Sequence, residues 1–588
     1  MPVKVKQVFL ALIAMTVLLL LWLVSPKALT AQGLHLSYPP NGHQTTSDRV
    51  FFIGTAPPRG KVTINGQPVP RSEYGHFAPS LPLQLGENVF RLKYGGQEIT
   101  VTVVRQPATP PPPSQLGFIQ ESLYPQQNVQ VQVNEILCFE AIGTPNKEVV
   151  VNLGGKTIPL SPDPKFSLPG NSGVLVDNNQ PTAPSAGKYR GCASFPQVGN
   201  LGKPTFTIRD GNQKVTASSQ GTVEILSNNL QVAVVQQDNA ITRTGASSDF
   251  ARLTPLPKGV QALVTGKNGS WWRLDYGAWI SANDVQIKAT HQIPRSTVRG
   301  VQVQAVPPWT EVQIPLQVPV PFAIQQDGDR LYLTLYNTTA QTDTIKQPPI
   351  DDPALSAISW QQTTPTTIVY TLRTKGQQQW GYKVNYRGTT LVLAVKHPPR
   401  SLESLSIILD AGHGGPDDLG AVSPTGYPEK SATLAIAQLV AEELRKRGAQ
   451  VIMTRTADVD MDLPPRTAII NRTEPTIALS LHYNALPDNG NADTVQGIGT
   501  FWYHGQSQRA GAFIHKYLVT HLKRPDYGIY WGNLAMVRPT VAPALLLELG
   551  FMINPKECEW IVNPKAQRQV AQVLTNAIYE WVRTSLSL

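Results

Sequence analysis

The pattern of apolar residues changes at Ser404, and this change constrains the fold more than any other feature of the sequence. Before Ser404, short stretches alternate apolar and polar residues between glycine- and proline-rich turns, which is typical of β-strands. After it, strand-like apolar runs alternate with helical patterns. Strands alternating with helices predict a sheet covered by helices on both faces. The sequence therefore predicts several all-β modules followed by a C-terminal α/β domain, over residues 401–588.

The N-terminus predicts transport across the cytoplasmic membrane. Lys4 and Lys6 precede an apolar run from Val8 to Val24, and small residues follow near Ala28. This order is typical of a secretory signal peptide, and the run is also close to the length of a membrane-spanning helix. Residues 1–31 are therefore expected to form a signal peptide or an uncleaved membrane anchor. The rest of the chain is expected in the periplasm or the cell envelope.

Charge and length limit the partners and the number of domains. The 588 residues are enough for several domains, and the sequence does not indicate an oligomeric state. The formal net charge of +10 favours anionic envelope polymers or membrane surfaces as partners. Nucleic acid is not expected as a partner, because an exported protein does not meet it.

Two of the three cysteines lie in one β-rich region. Cys138 and Cys192 each occupy a strand-like stretch. They form a disulfide in an oxidising compartment, or they are two small buried apolar residues. Cys558 lies in a helical pattern, and no cysteine spacing indicates a metal site.

The first β-rich segment, residues 32–105, has short, evenly spaced, alternating strands and a hairpin signal at Asn65–Gly66. This pattern is typical of a β-sandwich and resembles the immunoglobulin-like modules of bacterial envelope proteins. The stretch QPATPPPPSQ, residues 106–115, predicts a stiff extended linker. A second β-rich domain of unrecognised type is expected at residues 116–228.

Two further segments resemble known envelope modules. Residues 229–290 resemble a bacterial SH3-like domain in the stretches LPKGVQALVTGKNGSWWRL and GAWISANDV. Residues 291–400 resemble the AMIN-type β-sandwich in PFAIQQDGDRLYLTL. These resemblances imply that the modules bind the cell wall or envelope, or space the domains.

The stretch SIILDAGHGGPDDLGA, which begins at Ser406, places one histidine, His413, among glycines at the end of an apolar strand. It has three interpretations: a phosphate loop, an ordinary tight turn or a metal site. A phosphate loop needs a helix N-terminus and usually a lysine, whereas Asp417 and Asp418 follow here and would repel an anion. This stretch alone leaves the turn and the metal site open.

Three more ionisable residues also lie at the ends of predicted elements. Glu429 stands at the start of an amphipathic helix, and His482 and Glu548 end apolar strands. Ligands of open α/β sheets gather at such strand ends, so His413 and these three residues are expected to form one site. Two histidines and a carboxylate that leave one position open are a common catalytic zinc set. A further carboxylate, here Glu548, would move the proton of the activated water.

The C-terminal segment resembles the zinc-dependent N-acetylmuramoyl-L-alanine amidase family of the Amidase_3 type. The motifs that carry the resemblance are ILDAGHGGPDDLGA, GYPEKSATLAIA, VIMTRTADVDMDLPPRTAIIN, IALSLHYNA and LAMVRPTVAPALLLELGFMINPKE. This resemblance implies a mixed sheet with helices on both faces. It also implies that His413, Glu429 and His482 bind one zinc ion and that Glu548 is catalytic. The reaction implied is cleavage of peptidoglycan, at the amide between the lactyl group of N-acetylmuramic acid and the L-alanine of the stem peptide.

Two other functions remain as alternatives. A zinc peptidase would cut within the stem peptide, and sequence alone does not distinguish one amide bond from another. A catalytically inactive wall-binding scaffold would be expected to lack one of the four site residues, and all four are present.

Departures from the family pattern carry their own expectations. Tyr483, where a small residue is common, is expected to narrow the cleft or alter the stem-peptide preference. Thr433 replaces a common asparagine. Arg466 and Asn484 match family positions and are expected to have structural roles, while Asp410 is expected to orient its neighbours.

The segment after His482 is short and polar, NALPDNGNADTVQG. It has no room for the inhibitory helix that some members of the family carry. We therefore expect an open cleft, in which no residue of this segment reaches the metal. Gly412, Gly414 and Gly415 are expected to permit a sharp turn and to leave room for substrate.

Overall fold

A computed structural model describes residues 33–170, 173–176, 180–183, 186–227 and 229–586. The predicted signal peptide or anchor, residues 1–31, lies outside the described residues. None of the described helices has both the length and the hydropathy needed to cross a membrane. The described residues form two compact units, one combining the N-terminal residues as far as Ala108 with Pro399–Leu588, the other comprising Thr109–Pro398.

The first unit begins with a β-module, defined as the described residues from 33 to 108. Its strands form a five-stranded sheet in the order β2-β10-β9-β5-β6, a three-stranded sheet β1-β4-β7 and the pair β3-β8. Asn65 and Gly66 join β5 to β6 with φ angles of 49° and 81°, so the predicted hairpin turn is confirmed. The strands are β1 (His35–Tyr38), β2 (His43–Thr45), β3 (Arg49–Phe51), β4 (Ile53–Thr55), β5 (Val62–Ile64), β6 (Gln67–Pro68), β7 (His76–Phe77), β8 (Ser80–Pro82), β9 (Gly86–Tyr94) and β10 (Gln97–Arg105).

The second unit is built from strands. Its strands are β11 (Val129–Val131), β12 (Leu137–Ile142), β13 (Glu148–Leu153), β14 (Lys156–Pro162), β15 (Lys188–Ala193), β16 (Gly199–Gly202), β17 (Thr205–Asp210), β18 (Gln213–Ser218), β19 (Val223–Ile225), β20 (Gln231–Val235), β21 (Thr242–Arg243), β22 (Gln261–Asn268), β23 (Trp271–Leu274), β24 (Trp279–Ser281), β25 (Val285–Ala289), β26 (Ser296–Val298), β27 (Gln302–Val306), β28 (Trp309–Pro315), β29 (Phe322–Asp327), β30 (Arg330–Tyr336), β31 (Thr338–Ala340), β32 (Leu355–Thr364), β33 (Thr367–Thr374), β34 (Tyr382–Arg387) and β35 (Thr390–Lys396). The sheets β27-β28-β35-β34 and β29-β30-β33-β32 contribute to one apolar core. A large all-β region therefore precedes the C-terminal domain.

The structure settles the pairing of the two cysteines in this region. Cys138 on β12 and Cys192 on β15 are direct partners in the antiparallel register, and they form a disulfide. Cys558 is a buried free thiol in the C-terminal domain.

The C-terminal domain completes the first unit and has the predicted mixed α/β architecture. Its six-stranded sheet has the order β37-β36-β38-β41-β39-β40, in which the first four are parallel to one another and β39 runs antiparallel to β41. Helix α5 contacts both α1 and α3. The elements are β36 (Ser406–Ala411), α1 (Glu429–Lys446), β37 (Gln450–Met453), α2 (Leu463–Thr473), β38 (Ile477–Asn484), β39 (Ile498–Trp502), α3 (Gly505–Leu522), β40 (Asp526–Trp531), β41 (Ala544–Phe551), α4 (Pro555–Ile561) and α5 (Pro564–Ser585).

Helix α1 positions one of the predicted ligands. Its apolar face, which includes Ala437, Ala441 and Leu444, is buried, and α1 contacts β36, β37 and β38. The helix ends at Lys446 with Arg447 as its C-cap, and the next residue, Gly448, has a φ of 89°. Glu429 is its first residue, so burial of this face holds the Glu429 carboxylate beside the sheet.

The carboxyl ends of the parallel strands bring the other predicted residues together. His413 follows β36, and His482 lies near the end of β38. Strand β41 pairs with β38 in a register that makes Glu548 the direct partner of His482. Strand ends of a parallel sheet meet at one edge, so this topology places all four residues at a single site.

Candidate metal centre

Three of the predicted residues, His413, Glu429 and His482, form a cluster of ligand atoms that all lie within 4.8 Å of one another. Glu429 lies between the two imidazoles, with Oε2 3.2 Å from His413 Nε2 and Oε1 3.1 Å from His482 Nδ1. Donors of one tetrahedral zinc ion, bound at ~2.0–2.1 Å, lie about 3.3 Å apart. The cluster could therefore hold a metal ion of this kind with little rearrangement.

The carboxylate of Glu429 is fixed by the backbone. The Ala421 amide donates to Oε2 at 2.8 Å and the Tyr483 amide donates to Oε1 at 2.9 Å. Burial alone would raise the pKa of Glu429, but hydrogen bonds with His413 and His482 lower this pKa to about 2. Glu429 is consequently ionised at neutral pH, as a metal ligand must be.

The orientation of His413 is set by an aspartate that the sequence analysis did not single out as its partner. Nδ1 of His413 lies 2.6 Å from Asp418 Oδ1, so this nitrogen donates to the carboxylate and Nε2 is left facing Glu429. The His413 backbone has a φ of 61°, in the left-handed region that non-glycine residues seldom adopt. Arg466 holds that conformation by donating to the His413 carbonyl at 2.7 Å.

The ring of His482 is oriented by a buried chain of polar groups. Ser480 Oγ donates to Asp410 Oδ2 at 2.6 Å, and His482 Nε2 lies 3.1 Å from the same Oγ. Nε2 therefore carries the proton and Nδ1 is left facing Glu429. Asp410 itself accepts hydrogen bonds from Thr454 and Arg466, so its oxygens are occupied away from the ligand cluster. This agrees with the expected orienting role of Asp410.

Protons compete for the two imidazoles. Burial would lower the pKa of His482, but the Glu429 carboxylate outweighs it and raises this pKa to about 9. The pKa of His413 is also raised by Glu429 against the opposing effect of burial. Metal binding therefore displaces protons, and affinity is expected to increase with pH.

Glu548 lies beside the cluster and is not a member of it. Its Oε2 atom is buried and has no hydrogen-bond partner. Burial raises the pKa of Glu548 to about 7. A buried carboxyl group with a free oxygen and a pKa near neutrality is suited to accept and return a proton.

The structure corrects the expectation for Tyr483. Strand residues alternate between faces, so the residue after His482 points away from it. Tyr483 is only 2% exposed, and its contact with the cluster is through its backbone amide. The side chain is a core residue and does not narrow the cleft.

The space beside Gly412 and Gly415 is not occupied in the way that was expected. A Cβ on Gly412 would lie 2.3 Å from Cε1 of His482, and a Cβ on Gly415 would lie 1.8 Å from Asp460 Oδ1. Both positions leave room for side chains of the protein rather than for substrate. Gly414 and Gly415 have φ angles of 146° and 73°, so the expected sharp turn is present.

The other sequence expectations concern the residues around the site. Arg466 has the expected structural role: it is 2% exposed, and it donates to Asp410 and to the carbonyls of Ala411 and His413. Thr433, which departs from the family pattern, donates to the Gly412 carbonyl at 2.7 Å. No residue of the segment after His482 belongs to the ligand cluster in the described part of the chain.

Sequence reasoning missed Arg455 and the roles of Asp418 and Ser480. Arg455 donates to the carbonyls of Ala411 and Gly412, which precede His413. Arg455 follows a predicted strand, and this position did not indicate its role. Ser480 could have been found, because it shares a strand face with His482.

We expect Gly412→Ala to abolish metal binding while leaving the fold intact. The new Cβ would overlap the His482 ring, and Gly412 is not among the glycines with positive φ, so steric displacement of the ligand is the sole effect. Isothermal titration with zinc measures the loss. Gly96→Ala is the matched control, because nothing lies within 4 Å of its new Cβ. Unchanged zinc affinity of Gly412→Ala would contradict the close approach of Gly412 to His482.

The chain is similar in sequence to known proteins. The sequence profile of the Amidase_3 family, described as N-acetylmuramoyl-L-alanine amidase, matches residues 407–580. The germination-specific N-acetylmuramoyl-L-alanine amidase of Bacillus subtilis (strain 168) is 32% identical over 197 residues, covering 30% of this chain and 78% of that protein. The probable cell wall amidase LytH of Staphylococcus aureus is 34% identical over 173 residues, covering 29% of this chain and 56% of that protein.

Solved structures include a similar chain. The N-acetylmuramoyl-L-alanine amidase from Clostridium difficile 630 is 30% identical, and the match covers 31% of this chain and 98% of that one with a TM-score of 0.30. The profile match begins in β36 and ends in α5, so it spans the ligand cluster and Glu548.

Proposed function

Because the chain belongs to the N-acetylmuramoyl-L-alanine amidase family, we propose that it is a zinc-dependent peptidoglycan hydrolase. The bond cleaved is the amide between the lactyl group of N-acetylmuramic acid and the L-alanine of the stem peptide. The observation that carries the proposal is the position of Glu548, whose unpartnered carboxylate oxygen lies beside a His-Glu-His cluster able to hold one metal ion.

The proposed mechanism assigns one role to each residue. His413, Glu429 and His482 would hold the zinc ion, leaving one coordination position for water. Zinc, when bound, supplies a water of lowered pKa and polarises the substrate carbonyl. Glu548 takes a proton from the attacking water on its free oxygen and delivers it to the alanine nitrogen, which leaves as an amine. The carbonyl carbon gains the water oxygen, and the C–N bond breaks.

The structure supports the parts of this mechanism that concern orientation. Asp418 and Ser480 each hold one imidazole nitrogen, so the other nitrogen of each ring points at Glu429. Such partners increase the basicity of the ligating histidines and fix their tautomers. Glu548 is kept partly protonated near neutral pH by burial, which suits a group that must both accept and donate a proton.

The proposal extends to location and to the β-modules. We infer an exported protein of the periplasm or cell envelope, with residues 1–31 as signal peptide or anchor. The immunoglobulin-like, SH3-like and AMIN-like segments would attach the enzyme to the wall or envelope. What supports wall attachment is the all-β architecture and the half-buried Trp271, Trp272 and Trp279, each with a cation over its ring.

Digestion of purified sacculi by the full chain tests the function. We expect free stem peptides that begin with L-alanine, together with intact glycan strands, identified by mass spectrometry. A chelator should abolish release and added zinc should restore it, because in the proposed mechanism zinc activates the attacking water. Shortened peptides that remain on muramic acid would instead support a stem peptidase. Binding to sacculi without release of any peptide would support an inactive scaffold.

A further inference from the structure

The β-module packs directly against the turn before Glu429 and against the segment after His482. Strand β1 runs along the turn before Glu429, where Ser37 Oγ donates to the Pro424 carbonyl at 3.2 Å. His35 lies against the same turn, because a Cβ on Gly426 would be 3.3 Å from its Nε2. A strand distant in sequence thus contacts the segment that leads into the second ligand.

The same end of the β-module holds the segment after His482. Tyr38 donates its hydroxyl hydrogen to Asp488 Oδ1, and His43 Nε2 lies 2.9 Å from Asp488 Oδ2. The side chains of His43 and Asp488 are 20% and 17% exposed, so the contact is partly shielded from solvent. Asp488 lies six residues after His482, in a segment whose polar sequence and glycine give it little structure of its own.

An apolar cluster also joins the β-module to the C-terminal domain. Phe51, Ile53 and Ala78 of the β-module pack with Ala492, Phe551 and Ile553 of the C-terminal domain, and every member is at most 3% exposed. Ala492 belongs to the segment after His482, and Phe551 ends the strand that carries Glu548. The interface therefore includes the segments next to Glu429 and His482 and the strand that carries Glu548.

The charge state of Asp488 fits a permanent contact. Burial would raise the pKa of Asp488, but hydrogen bonds from Thr45, Tyr38 and His43 lower it overall. The carboxylate is therefore ionised at neutral pH and accepts from its donors as a charged group, which makes stronger hydrogen bonds than a neutral one.

We propose that Tyr38 and His43 of the β-module are positioning residues for the zinc centre, acting through Asp488. By fixing the segment after His482, they hold this ligand in the arrangement that binds metal, while Ser37 of the same module contacts the turn before Glu429. The physical reason is preorganisation, since a loop ordered before binding does not lose conformational entropy when the metal arrives. The proposal rests on the proposed zinc site and assigns the first β-module a role beyond attachment.

The test uses the full chain with Tyr38→Phe and His43→Leu combined. These changes remove two of the three donors to Asp488, leave the hydrogen bond from Thr45, and keep the apolar interface. We expect zinc affinity, measured by competition with a chromogenic chelator, to fall about 10-fold. Amide hydrogen exchange in residues 484–497 should become faster by about the same factor, and kcat should fall more than KM changes. Glu98→Gln is the control, because Glu98 pairs only with the exposed Lys93 in the same module.

Two further variants separate positioning from general stability. Asp488→Asn should weaken zinc binding in the wild-type background and have no added effect in the double variant, which a double-mutant cycle shows as coupling. His43→Gln retains a donor and should preserve most of the zinc affinity. Wild-type zinc affinity and wild-type exchange rates in the double variant would overturn the proposal. A wild-type protein that binds zinc but releases no peptide from sacculi would refute the proposed function alone, because zinc affinity and exchange are measured independently of catalysis.

Discussion

Replacing Glu548 with glutamine is expected to slow peptidoglycan hydrolysis by about 10²–10⁴-fold without loss of bound zinc. Glutamine has almost the same shape, but its amide does not accept and return a proton as a carboxylate does. Glu548 lies beside the ligand cluster and outside it, so metal binding should survive the change. Steady-state kinetics on soluble muropeptides measure the loss, and metal analysis of the purified variant measures the zinc.

The pattern of the kinetic change is as informative as its size. We expect kcat to fall while KM stays close to the wild-type value, because Glu548 acts on the proton in transit and not on the bound ground state. Glu443→Gln is the matched control, since Glu443 pairs with Lys446 on the outer face of α1. A Glu548→Gln enzyme with near wild-type kcat would exclude Glu548 from the proton transfer.

Replacing Arg466 with methionine is expected to destabilise the C-terminal domain by about 3–5 kcal/mol. Arg466 and Asp410 form an ion pair 2.7 Å long whose side chains are 3% and 2% exposed. Methionine leaves the Asp410 carboxylate buried without its counter-charge and leaves the His413 carbonyl without the Arg466 donor, while the Ala411 carbonyl keeps only Arg455. Native-state hydrogen exchange of the β36 amides, in the presence of chelator, measures the free energy of unfolding of this region.

The pH dependence of the stability difference between wild type and Arg466→Met is a second test of this prediction. Burial would raise the pKa of Asp410, but the Arg466 charge and two hydroxyl hydrogen bonds hold it below its usual value. The carboxylate therefore stabilises the wild-type fold above the ordinary aspartate pKa of about 4, and this contribution is lost as the pH falls through the lower folded pKa. In Arg466→Met the carboxyl can take a proton, so the difference from wild type should shrink in acid.

A surface ion pair serves as the control. Arg583→Met removes the partner of Glu580 at a site where both side chains are about half exposed, and it should cost only ~0–1 kcal/mol. A similarly small cost for Arg466→Met would show that the charge of Asp410 is accommodated without Arg466, and the structural role assigned to Arg466 would be wrong.

Local sequence patterns were enough to predict the parallel part of the catalytic fold. The apolar runs at β36, β38 and β41 and the periodicity of α1 depend on which side chains face the core, and this is readable within one element. Strand β40 was missed. Its sequence contains glycine and mixed polar residues, and its place at the edge of the sheet is decided by pairing with β39.

The candidate site also has some features that the sequence predicted and others that it did not. His413, Glu429, His482 and Glu548 were predictable because each stands where an apolar run ends or a helix begins, although β38 and β41 continue beyond these runs to Asn484 and Phe551. The role of Tyr483 was predicted wrongly because the side-chain direction depends on strand alternation after His482, and that places the ring in the core. Likewise, the space at Gly412 is taken by the His482 ring, which comes from a strand that is distant in sequence.

The sequence by itself indicated the types of most elements, the proposed ligand set and the proposed catalytic carboxylate, because these depend on residue chemistry and on periodicity within short segments. Only the tertiary structure decided that Glu548 pairs with His482, that Asp418 and Ser480 fix the imidazoles, and that the first β-module lies against Asp488. The physical reason is that these contacts join segments from separate parts of the fold. Their geometry is set by strand register and by close packing of the whole unit, neither of which is encoded in any one stretch of sequence.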